Sequence, residues 1–109
     1  MMAMIRMETG NITDWVSFHS TCREALGFPE FYGNNKDAFI DCLTYIDERD
    51  GMSNIVLGNG EMLKIELKSG VDFRERLPEI YQWLMDAIAE VNDRFVDDGN
   101  PEKISLVSM

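Results

Sequence analysis

Two aspartates, Asp37 and Asp41, stand four residues apart in the chain. On a helix that spacing places both carboxylates on one face, the first favoured by the positive helix start and the pair mildly repulsive. Such a pair has three uses. It can exchange protons in catalysis, hold a divalent cation, or anchor cationic side chains of a protein partner. Catalysis finds little support nearby: His19 is the only histidine, and there is no glycine-rich phosphate loop and no nucleophile motif. No C-x-x-C spacing offers a metal site either. The chain is therefore expected to be no enzyme and to carry no cofactor or metal. The third use draws on neighbours. Asp47 and Glu48 extend the acidic side, and the aromatic pair Phe31-Tyr32 precedes the helix. Aromatic rings give area that sheds water on contact, and carboxylates meet cations, so together they suit docking into a basic cleft. A plainer reading stays open, with the aspartates on a solvated helix face and Phe31-Tyr32 packed as a plug beneath their loop.

Charge balance supports a basic partner. Twenty acidic residues against ten basic ones give a net charge of −10. Binding to nucleic acid relies on Lys and Arg against phosphates, so direct nucleic-acid binding is not expected. An acidic surface serves solubility and also steers a cationic protein towards it. With 109 residues the chain is the size of one domain, and a hydrophobic content of 45% can form a core without covalent staples. Cys22 and Cys42 both fall within apolar helical patterns and are expected as buried free thiols. The apolar run at Met1 to Met7, broken by Arg6, is too short for a signal peptide or a membrane span, which implies no membrane partner and a cytoplasmic location.

The elements that must position the aspartates follow from apolar spacing. Met2 to Met7 reads as a strand, with a turn at Gly10-Asn11. Thr13 is placed to cap a helix carrying Trp15, Phe18, Cys22, Ala25 and Leu26, which Gly27 ends and Pro29 closes off. Asn35 caps a second helix, expected to reach about Asp47, whose inward face is Phe39, Cys42, Leu43 and Ile46. Ile55-Val56-Leu57 and Met62 to Leu67 flank Asn59-Gly60, the pattern of a β-hairpin with a tight turn. Ser69-Gly70 ends the second arm. Pro78 opens a long helix with one apolar stripe, Ile80, Trp83, Leu84, Ala87, Ile88, Val91 and Phe95, and Ile104 to Val107 closes the chain as a strand. That order predicts an α/β domain: helices packed on a small, mainly parallel sheet, plus an added β-hairpin.

The stretch Leu26-Gly-Phe-Pro-Glu-Phe-Tyr-Gly-Asn-Asn-Lys-Asp-Ala-Phe-Ile-Asp-Cys-Leu-Thr44 resembles the barstar family. The match runs without gaps through Pro-Glu, the aromatic pair, Gly, Asn, Asp-Ala and Asp-Cys-Leu-Thr. The first strand and helix follow the family's layout more loosely, the last helix and strand in pattern only, and the Asn59-Gly60 hairpin is read as a departure from it. The resemblance implies a single barstar-like domain over residues 1–109, an inhibitor whose second helix and preceding loop fill the active cleft of a basic ribonuclease or nuclease toxin. An acidic immunity or adaptor protein of the same fold, aimed at a partner other than a ribonuclease, is the alternative. Carried over by motif position, the partner-binding residues implied are Phe31, Tyr32, Gly33, Asn35, Asp37, Ile40, Asp41 and Thr44, with Asp41 the deepest. A further acidic contact from the last long helix falls on Asp86, with Glu79 and Glu90 as alternatives. The family's best-known member has Tyr at the Phe31 position, Trp at Ile40 and Glu where Asp86 is placed.

Overall fold

The computed structural model describes residues 2–28, 35–44 and 61–108. Three strands, β1 (Met2–Glu8), β2 (Met62–Lys68) and β3 (Ile104–Ser108), form one parallel sheet in the order β1-β2-β3. Among the described residues four α-helices accompany it, α1 (Trp15–Leu26), α2 (Lys36–Thr44), α3 (Gly70–Arg76) and α4 (Pro78–Asp97), with a 3-10 turn at Thr9–Asn11. The α/β class and the parallel sheet agree with the expectation from apolar patterning.

Alternation along the strands sorts the two faces of the sheet. Leu63, Ile65 and Leu67 of β2 pair in register with Ala3, Ile5 and Met7 of β1, and Leu63 and Ile65 with Ile104 and Leu106 of β3. These residues supply the sheet side of the core, which the apolar stripes of the helices complete. The other face carries Arg6 and Glu8 beside Glu66 and Lys68, with ion pairs Arg6–Glu66 at 3.9 Å and Lys68–Glu8 at 3.3 Å. Asn59-Gly60 and the strand expected at 55–57 lie outside the described residues. The expected second arm of that hairpin, β2, has both its edges occupied, by β1 and by β3.

Two local readings need correction. Asp14, not Thr13, caps α1: its carboxylate accepts the Ser17 backbone N–H at 2.8 Å, and Ser17 Oγ accepts the Asp14 N–H at 3.0 Å. Ser17 closes this reciprocal cap from the third helical position, and its bonds hold the Asp14 carboxyl below the usual carboxylate range. Gly27, at φ 67°, ends the helix in the left-handed conformation that glycine adopts without strain. The second correction is α3, a short helix where the strand's end at Ser69-Gly70 was expected to lead straight to Pro78. Its seven residues bury only Gly70 and Phe73, too few apolar positions to show a helical period. A Cβ at Gly70 would come within 2.8 Å of Ser108 Oγ, so close packing of α3 on the end of β3 excludes larger residues there. Arg76 fastens α3 to the turn after β1, donating to the carbonyls of Ile12 at 3.0 Å and Thr9 at 3.1 Å.

The last helix is fastened at its other end. Asn92, buried on α4, accepts the backbone N–H groups of Lys103 at 3.2 Å and Ile104 at 3.1 Å, and donates to the Ile104 carbonyl at 2.9 Å. Pro78 occupies the first turn of α4, where a missing N–H costs no helical bond. Among the described residues no helix is long and apolar enough to cross a membrane.

Candidate functional site

The local sequence of α2 divides it into two sides. Asn35 Oδ1 accepts the Ala38 N–H at 2.8 Å, satisfying one of the donors left over at the helix start. Phe39, Ile40, Cys42 and Leu43 are buried, each 3% exposed or less. Asp37 and Asp41 are exposed on the opposite side. With a rise of about 1.5 Å per residue the two carboxylates are stacked about 6 Å apart along the axis. The buried side is held by aromatic rings. Phe39 packs edge-on against Trp83 of α4 at 5.3 Å between ring centroids, and against Phe28 at 5.8 Å. Trp83 also meets Trp15, Phe18 and His19 of α1 at 5.8, 5.2 and 5.5 Å. A helix backed this way presents its outer carboxylates on a fixed base.

Towards its end, α2 meets the far end of α4. Arg94 Nη1 donates to Asp41 Oδ1 at 3.2 Å and to Thr44 Oγ1 at 3.3 Å. The Thr44 hydroxyl itself donates back to the Ile40 carbonyl at 2.7 Å. Asp41 therefore faces outward with a cation of its own chain beside it, and its side chain remains 56% exposed.

The expected contact residues divide as follows. Asp37, Asp41 and Thr44 share the outer part of α2, and Asn35 caps it. Ile40 is 2% exposed, so in this fold it supports the helix from beneath and forms no wall of a contact surface. Its side chain is buried together with those of Phe39 and Leu43. Asp86 is exposed and accepts a hydrogen bond from Gln82 Nε2 of its own helix at 2.9 Å. The α4 side chain bonded to Asp41 is Arg94, eight residues on, or about 12 Å further along the axis. Phe31, Tyr32 and Gly33, and the acids Asp47 and Glu48, lie outside the described residues. Sequence reasoning missed Arg94. The available signal was that it is the only basic residue of the twenty in α4, but a cation in a helix's last turn is explained by the helix dipole alone.

Both thiols are free and buried. Burial pushes Cys22 far up from its ordinary value, and burial with the neighbouring Asp41 charge raises Cys42. His19, packed among Phe18, Trp15 and Trp83, is held below its ordinary value by burial. A shallow cavity of about 420 Å³ opens between α1, α4 and the start of α2, lined by Trp15, Val16, His19, Asn35, Lys36 and Trp83. Among the described residues no group of three His, Cys, Asp or Glu side chains is arranged to hold a metal ion.

The family model described as Barstar (barnase inhibitor) matches residues 2–107. That span includes every strand and helix described above, up to Val107 of β3. No curated protein matches the chain.

Proposed function

The chain belongs to the barstar family, described as inhibitors of barnase, and on that premise we propose that it binds and blocks the active site of a basic ribonuclease or nuclease toxin. The acidic face of α2 is the docking element, and the segment before it, with Phe31, Tyr32 and Gly33, is the second part of the contact. Asp37 and Asp41 stand in for RNA phosphates and meet the cations that would otherwise hold them. The observation that carries this reading is the pairing of a fully buried inner side of α2 with two exposed carboxylates on its outer side. Carboxylates on a rigid base lose little freedom on docking, and that preorganisation converts contact into affinity. The net charge of −10 adds long-range attraction to a basic enzyme.

The test is inhibition of RNA cleavage across a panel of basic ribonucleases and toxin nucleases, barnase included, with Asp41→Ala as the control. Inhibition by the parent chain that Asp41→Ala loses supports the reading. A panel in which no enzyme is inhibited, or in which Asp41→Ala inhibits as well as the parent, contradicts it.

A second reading has one observation in its favour. A cation, Arg94, stands within the acidic face, and a mixed surface also suits an acidic immunity or adaptor protein whose partner is not a ribonuclease. Recovery of a partner without nuclease activity, in a complex that Asp41→Ala disrupts, distinguishes this case.

A further inference from the structure

Arg94 offers one nitrogen, Nη1, to both Asp41 and Thr44. Among the described residues its Nε and Nη2 have no hydrogen-bond partner, and neither has Asp41 Oδ2. The two side chains are 43% and 56% exposed, so water serves the remaining donors and acceptors in the free protein. A partner that closes over Asp41 must also cover the guanidinium bonded to it.

We infer that Arg94 is a specificity-determining residue of the proposed interface: it selects against a cleft that is cationic throughout and favours one that presents an acceptor, a carboxylate or backbone carbonyl, beside the cation that meets Asp41. The inference rests on the reading of α2 as the docking helix. Its physical basis is the set of donors that Arg94 keeps. Against a purely cationic cleft, the Nε and Nη2 N–H groups lose water and gain nothing, and the two cations repel. Against a cleft with a carboxylate, the same groups form a two-pronged bond of a kind that lysine cannot copy. Asp41 would meanwhile keep Oδ2 for the partner's cation, so four alternating charges would close on one another. Specificity here comes from a repulsive element as much as from an attractive one.

Barnase, the enzyme that the family description names, is the probe, and the inference takes its cleft to offer Arg94 no acceptor. Affinity is measured by inhibition of RNA cleavage for the parent chain, Arg94→Gln, Arg94→Glu and Asp41→Ala. Leaving buried donors unsatisfied is costly enough that Arg94→Gln is expected to bind barnase about fivefold tighter or more, with Arg94→Glu tighter again. If Arg94 only held Asp41 in place, both substitutions would weaken binding. Unchanged or weaker binding by Arg94→Gln, with inhibition still lost in Asp41→Ala, overturns the role of Arg94 and leaves the docking helix standing. Absence of Asp41-dependent inhibition of barnase in the parent and in both Arg94 variants overturns the role of Arg94, and its absence across the whole panel of nucleases overturns the docking helix as well.

Discussion

Replacing Asn92 with leucine tests how firmly α4, and with it Arg94, is tied to the sheet. Asn92 is 7% exposed, and its side chain makes three hydrogen bonds to the backbone at the start of β3. Leucine matches its size but can neither accept the N–H groups of Lys103 and Ile104 nor donate to the Ile104 carbonyl. At about 1 kcal/mol for each bond, the loss comes to about 3 kcal/mol, somewhat offset by the added apolar burial. For a chain of 109 residues that corresponds to a fall in Tm of about 12 °C. Urea unfolding followed by circular dichroism gives the free-energy difference directly, and an unchanged m value would confirm that stability alone has moved. Asn92→Asp is the informative companion. It keeps the two acceptor contacts but loses the donor and buries a charge, so it should be destabilised at neutral pH and partly recover as acid protonates the new carboxyl. A loss below about 1 kcal/mol for Asn92→Leu would refute the idea that this side chain clips α4 to β3.

Other expectations concern the base on which α2 stands. Asn35→Ala removes the cap of α2 and should cost about 1 kcal/mol in urea unfolding, with Asn35→Asp close to the parent. An equal loss in both variants would show that the cap bond is not what matters at this position. The pKa of His19 is lowered by burial from its ordinary 6.5, so the unfolded chain takes up this proton first as acid is added. Its contribution to stability is complete above pH 6.5 and is lost as the pH falls from there towards the folded pKa. His19→Gln should flatten that part of the stability profile. Asp14, also lowered, acts in a separate window that begins at 3.8 and extends downward, so the two effects are distinguishable. Identical profiles for the parent and His19→Gln as the pH falls below 6.5 would contradict the assignment.

Where the sequence was readable, strong periodicity made it so. Six members of the α4 stripe, Ile80, Leu84, Ala87, Ile88, Val91 and Phe95, are buried as their spacing requires while Trp83 is half-buried, and Gly27 and Pro78 mark helix ends for steric reasons that hold in any fold. The capping of α2 by Asn35 was legible for the same local reason. Other features depend on partners distant in sequence. Nothing near Gly70 announces that Ser108 will lie against it. Nothing near Arg94 announces that it will bond to Asp41, fifty-three residues earlier. Asp86 was placed by a loose alignment to the family, with Glu79 and Glu90 as alternatives, and a linear alignment does not show which turn of α4 lies beside Asp41. Ile40 was assigned to the contact surface by motif position alone, although its own helix phase, shared with Phe39 and Leu43, pointed it to the core.

The most direct measurement is the dissociation rate of the complex with an inhibited nuclease, for the parent chain and for Asp41→Ala. Truncating one member of a desolvated charge pair costs about 2–5 kcal/mol, much of it from the cation left unpaired, and it acts mainly on dissociation. Asp41→Ala should therefore leave the association rate nearly unchanged and speed dissociation by about thirtyfold or more. Equal dissociation rates for the two proteins would mean that Asp41 does not enter the nuclease cleft.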